Sequence, residues 1–173
     1  MERTTASLTT VFILNNLFLS NNDIVDLGWF EREIQTTSTT KWDGVAFAIK
    51  DKKITPVLVE FSGGVKFNTT DKKEQDDETK MVGNILNILK YIEALQMANY
   101  PIPQHYIRFF GGKIIFECIY LLKNGEYIKR QCFTITCPTT CEELIMFVKK
   151  IPRLLDWKQT IIMQTKQMLA YDE

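Results

Sequence analysis

Hydrophobic positions along this chain change period several times, and each change predicts a change of element. Leu8, Val11, Phe12, Asn15, Leu17 and Phe18 give an imperfect helical stripe. Behind Asp23, which can cap a helix end, Ile24, Leu27, Phe30 and Ile34 recur at roughly helical spacing and predict a second helix over 23–34. A polar run without periodicity, 36–40, reads as a loop. Strict alternation then takes over at Val45, Phe47 and Ile49, a turn is expected at Asp51-Lys52-Lys53, and 54–61 returns as the second strand of a hairpin. That return strand is almost continuously apolar, so both of its faces should be covered.

Beyond Gly63-Gly64, residues 65–77 are polar and increasingly acidic and read as a loop. From 78 to 98 the helical period is strong: Val82, Ile85, Leu86, Leu89, Ile92 and Leu95 form a stripe wide enough to pack on a sheet, and Pro101 and Pro103 end it. Three further strands are expected at 105–110, 113–122 and 127–137, the last two joined by the hairpin signal Asn124-Gly125. Thr139 or Thr140 caps a helix to Lys150, which Pro152 kinks or restarts. This order predicts one α/β domain over 1–173, a mixed central sheet flanked by helices. Neither Gly63-Gly64 nor Gly111-Gly112 matches a phosphate-binding loop.

Composition changes this picture little. The chain has 173 residues, 45% of them hydrophobic and 24% charged, with 21 basic and 21 acidic side chains, so no global field points to a polyanion or an anionic membrane. Local charge says more. Lys149, Lys150, Arg153, Lys158 and Lys166 stand against a lone acid, Asp156, while the acidic counterweight lies at 71–78. A solvated helix face complementing the helix dipole accounts for such a basic run as readily as a ligand does. The apolar run 11–19 is broken by Asn15-Asn16 and is too short to span a membrane. No membrane association and an intracellular location, the nucleus included, are the expectations. Cys132, Cys137 and Cys141 lack the Cys-x-x-Cys pairs of zinc sites, and His105 is remote from them in sequence. Buried free thiols are therefore expected, with His105 at a strand edge, and Trp29, Trp42 and Trp157 serving as core or interface aromatics.

Candidate chemistry lies in Lys41-Trp42-Asp43-Gly44 and Val59-Glu60-Phe61-Ser62. Each acid stands in or beside a strand, where burying a carboxylate costs several kcal/mol, roughly, unless cations or donors satisfy it. Antiparallel pairing can bring Asp43 beside the end that bears Glu60. Two such carboxylates suit Mg²⁺ or Mn²⁺, which take oxygen donors and retain waters that a phosphate can replace. Glu33 or Glu31 could complete the ligand set. Plainer readings stay open: Asp43-Gly44 could shape a turn, Glu60 could pair with Arg108, and Lys80 could be a solvated helix residue.

A helix with a glutamate, a strand with Asp, a hairpin and a strand with Glu-x-Lys followed by a helix form the core of the PD-(D/E)XK nuclease superfamily, which residues 23–110 resemble through Glu33, Asp43 and Glu60. The resemblance implies a restriction-endonuclease-like core and metal-dependent cleavage of nucleic-acid phosphodiesters, with DNA as the expected substrate. It assigns Asp43, Glu60 and Glu33 to the Mg²⁺ or Mn²⁺ ion. The basic residues Lys149, Lys150, Arg153 and Lys158 would then contact the phosphate backbone. A weaker resemblance, to uncharacterised fungal expansion families with Asp-Gly and Glu-x-Ser-Gly-Gly signatures, implies no activity. The chain departs from the superfamily at Ser62, which occupies the place of the catalytic lysine, and no proline precedes Asp43. Lys80 or Lys66 could supply the missing charge, Lys80 better because a helix holds a charge more rigidly than a loop. The alternatives are a nuclease-fold module that binds nucleic acid or a protein partner, a homodimer included, without cutting, and a scaffold whose acids form internal salt bridges.

Overall fold

The computed structural model describes residues 7–34, 40–61, 71–91 and 101–170, without the side chains of 7, 8, 71, 73 and 74. Among these residues six strands form one mixed sheet: β1 (Val25–Glu33), β2 (Lys41–Ala48), β3 (Val57–Phe61), β4 (Gln104–Phe110), β5 (Lys113–Leu121) and β6 (Tyr127–Thr136). They lie side by side in chain order. Every neighbouring pair is antiparallel except β3 and β4. A parallel pair cannot be joined by a tight turn, and the connection here carries the long helix α2 (Asp71–Tyr91). The other helices are α1 (Phe12–Phe18), α3 (Cys141–Val148) and α4 (Ile151–Ala170). No described helix is long and apolar enough to cross a membrane.

Helices cover both faces of the sheet, as the continuous apolar character of β3 requires. On one face Met81, Ile85, Ile88 and Leu89 of α2 pack against Trp42, Val45, Leu58, Tyr106 and Ile119. On the other, Leu14, Leu17 and Phe18 of α1 and Leu154, Trp157, Ile161 and Ile162 of α4 pack against Val57, Val59, Ile107, Phe109, Phe116 and Phe133. Leu58 thus belongs to one layer and its neighbours Val57 and Val59 to the other.

Two expected boundaries are corrected. Residues 23–34 are not helical: β1 occupies Val25–Glu33. Val25, Leu27 and Trp29 turn to the α4 layer at the period of a strand, an alternation that the coincident spacing of Ile24, Leu27 and Phe30 masks. Gly28, which costs a helix interior about 1 kcal/mol, marks the same error. The strand bulges where Phe30 and Glu31 take φ of 60° and 49°. Helix α2 begins at Asp71, seven residues before the expected start at Glu78, because the acidic run 71–78 favours a helix N-terminus and not only a loop. The expected apolar positions Ile92 and Leu95 lie outside the described residues, as do 36–39 of the expected loop.

The C-terminal pair follows expectation, with α4 restarting beside Pro152. Thr140 caps α3: its hydroxyl accepts the N–H of Glu143 at 3.2 Å, and the Glu143 carboxylate accepts the N–H and O–H of Thr139, each at 2.7 Å. Those bonds, the Thr139 hydroxyl first, hold the Glu143 carboxyl below the usual range. α3 has no fully buried residue, and it is held by this cap and by Phe147, which packs partly buried against the core. Thr140→Ala should cost about 1 kcal/mol, read as a roughly fivefold loss of hydrogen-exchange protection in the α3 amides.

Candidate functional site

Asp43 and Glu60 meet at the ends of β2 and β3. The ladder pairs Ala46 with Val57, Val45 with Leu58 and Gly44 with Val59, so one further step brings Asp43 opposite Glu60. There the side chain takes over from the backbone: Asp43 Oδ2 accepts the N–H of Phe61 at 2.8 Å. Gly44 is mid-strand and not the turn glycine its pairing with Asp43 suggests. A Cβ there would stand 2.6 Å from the Trp29 ring and 3.2 Å from Val59 Cβ. The absent side chain lets Trp29 lie across β2, and Trp29 Nε1 in turn donates to Asn15 Oδ1 of α1 at 2.8 Å.

Glu60 opens onto a cleft of about 630 Å³ between β2, β3 and α2. Lys41 and Trp42 of β2 and Lys80, Asn84 and Asn87 of α2 line it with Glu60. Asp43 is 8% exposed and does not line the cleft. The cleft therefore joins a carboxylate, two lysines and amide groups. Lys41 also reaches Glu31 Oε2 at 3.3 Å.

The remaining expected residues are dispersed. Glu33 is exposed on β1 and, with Glu31, Arg32 and Lys52, lines a different hollow. Among the described residues the one trio of His, Cys, Asp or Glu ligand atoms within 4.8 Å is His105, Cys118 and Cys132, so Glu33 does not join Asp43 and Glu60 in a three-acid cluster. Ser62 and Lys66 lie outside the described residues. Lys149 and Lys150 occupy the joint between α3 and α4, and Arg153 and Lys158 project from α4, across the sheet from the cleft. Arg153 donates to the Cys132 carbonyl at 2.7 Å and lies 5.5 Å from the Phe133 ring centroid; Lys158 donates to Ser20 Oγ at 2.8 Å.

Two arrangements were not visible in the sequence. Arg108, the register partner of Glu60 on β4, forms ion pairs with acids of two further elements. Its Nε stands 2.6 Å from Glu117 Oε2, and an NH1 pair of 3.0 Å joins it to Glu78 of α2. Lys129 of β6 meets Glu117 Oε1 at 3.1 Å and also pairs with Glu78. Two cations and two acids thus fasten α2, the helix that carries Lys80, to β4, β5 and β6. Burial, followed by the Glu117 carboxylate, pushes the neighbouring Tyr106 phenol well above its ordinary range. The second arrangement, His105 with Cys118 and Cys132, lies on the α4 face. His105 is not at a strand edge but buried in β4 at 4% exposure. Cys132 Sγ stands 3.8 Å from Cys118 Sγ, and this contact before all else lowers the Cys132 thiol below its ordinary range.

No family model matches this chain, and neither a curated protein nor a solved structure does. Fold and site together define a mixed α/β domain whose crossover helix and hairpin enclose a polar cleft lined by Glu60, with Asp43 at the adjoining strand end.

Proposed function

We propose that the cleft binds a divalent cation and hydrolyses nucleic-acid phosphodiester bonds. The observation that carries this reading is the convergence of Glu60 and Lys80 on one cleft, with Asp43 at the adjoining strand end. Glu60 and Asp43 hold Mg²⁺ or Mn²⁺. A cation held there would polarise a phosphoryl oxygen and make a water more acidic. Attack of water on phosphorus would break the P–O bond to the leaving nucleotide, whose oxygen would take up a proton. Lys80 supplies the positive charge that Ser62 cannot, opposite the negative charge growing on the phosphoryl oxygens. The polar walls, Lys41, Asn84 and Asn87, suit a nucleic-acid backbone.

A second reading, a binding module that does not cut, is favoured by the outer surface of α3. Leu144, Ile145, Met146 and Val148 are 51–58% exposed there, beside Lys149 and Lys150. An apolar patch rimmed by cations suits a protein partner.

Thermal unfolding with and without Mn²⁺ separates metal binding from its absence. A concentration one hundred times Kd should add about 2.7 kcal/mol, a rise of roughly 5–10 °C in a domain of this size. Asp43→Asn, which keeps an acceptor for the Phe61 N–H but removes the charge, should abolish the rise. A wild-type protein indifferent to Mn²⁺ would overturn the metal reading.

A further inference from the structure

His105, Cys118 and Cys132 are separated by up to 27 residues of sequence, yet the sheet gathers them. Register sets His105 directly across from Cys118 on β4 and β5. Cys132 arrives by an irregularity: Phe116 pairs with Phe133 and Glu117 with Gln131, so Cys132 is the unpaired residue between them. A bulge of this kind re-aims a side chain, and here it brings Cys132 Sγ to 3.8 Å from Cys118 Sγ. Each residue offers one ligand atom, and the three atoms lie within 4.8 Å of one another.

The hydrogen bonds around His105 fix its tautomer. Gln164 of α4 donates from Nε2 to the Pro103 carbonyl at 2.6 Å, which turns its Oε1 towards the ring. That oxygen stands 3.1 Å from His105 Nε2 and must accept its N–H. Nδ1 is then left with a bare lone pair, and it is buried with no hydrogen-bond partner. A buried acceptor without a donor costs about 1–3 kcal/mol, so the position calls for an electrophile. An imidazole whose second nitrogen donates to a fixed oxygen is the usual state of a histidine that binds metal.

We propose that Nδ1 of His105 and the sulfurs of Cys118 and Cys132 form a site for a thiophilic divalent cation, zinc above all. Two sulfurs bound to one tetrahedral zinc at about 2.3 Å each lie about 3.8 Å apart, the separation found here. A disulfide would require them to close to about 2.05 Å. Binding forms two zinc–sulfur bonds and one zinc–nitrogen bond and releases the thiol protons to solvent. The fourth position is left to water, reached from the side of Cys132, the one partly exposed ligand. The two soft donors separate this site from the carboxylate cleft across the sheet, since thiolates select zinc over Mg²⁺ or Mn²⁺.

The test uses the full chain, reduced, stripped with a chelator and then titrated with Co²⁺ and Zn²⁺, in a Cys141→Ser background that removes the exposed thiol. One equivalent of Co²⁺ should give thiolate charge-transfer absorption, which one equivalent of Zn²⁺ displaces and excess Mn²⁺ does not. Cys132→Ser should abolish the bands. Gln164→Leu, which touches no proposed ligand atom but Nδ1's ring, should weaken zinc binding roughly 10- to 100-fold. Far-ultraviolet circular dichroism establishes that each variant is folded. Absence of the bands in folded reduced protein, bands that survive Cys132→Ser, or conversion to a Cys118–Cys132 disulfide without metal uptake would each overturn the proposal.

Discussion

Arg108→Met is expected to lower the stability of the fold by about 3–5 kcal/mol, the cost typical of leaving one member of a buried ion pair without its partner. In a domain of this size that corresponds to a fall in Tm of roughly 6–20 °C. The residue that suffers is Glu117, whose side chain is 2% exposed and receives two bonds from the guanidinium, at 2.6 and 3.3 Å. Lys129 remains beside it but is itself 28% exposed, and one ammonium cannot replace a bidentate fork. Glu78→Gln should cost less, because Glu78 is 28% exposed and Arg108 keeps both of its bonds to Glu117. The double variant Arg108→Met with Glu117→Leu should recover much of the loss, since replacing both members removes the uncompensated charge. Urea denaturation of the three variants checks this. A loss under 1 kcal/mol for Arg108→Met would mean that Glu117 is satisfied without it.

The network explains part of what the sequence could not reveal. Val45, Phe47 and the apolar run before Phe61 announce strands because alternation and β-branching are local signals, and β2 to β6 lie where those signals put them. Helix α2 is legible from Ile85 and Leu89, which recur at its packing period. Strand β1 is not, because Ile24, Leu27 and Phe30 satisfy a helical period by coincidence while Val25, Leu27 and Trp29 satisfy the strand period that packing selects. With that strand goes the placement of Glu33, which a helix could have swung towards Asp43 and an edge strand carries to another hollow.

Side-chain partners were legible only where one strand register decides them. The meeting of Asp43 with the end of β3 follows from hairpin pairing. The ties of Arg108 to Glu78 and Glu117 do not, because they come from two other elements and one of them depends on the depth at which α2 sits. The same holds for the cysteines. Spacing along the chain finds zinc sites built on one loop, and the His105 cluster is built across three strands and a bulge, for which a short-range pattern has no signature.

The largest effect expected at the cleft is loss of cleavage on removing Glu60. Glu60 is half-buried at the strand end and lines the cleft with Lys80, so Glu60→Gln keeps the shape and removes the charge proposed to hold the cation. Without a cation, neither an attacking water nor a phosphoryl group would be activated. Lys80→Met should retain metal binding and lose roughly 10²–10³ in rate, the cost of removing one donor opposite a developing oxyanion. Lys80 is exposed on α2, so its replacement should leave stability within about 0.5 kcal/mol. The direct measurement is cleavage of plasmid and single-stranded DNA by purified protein in Mn²⁺ and in chelator. The account predicts products with the wild type in Mn²⁺ alone, fewer with Lys80→Met and none with Glu60→Gln prepared identically; no cleavage by folded wild-type protein, or cleavage undiminished in Glu60→Gln, would contradict it.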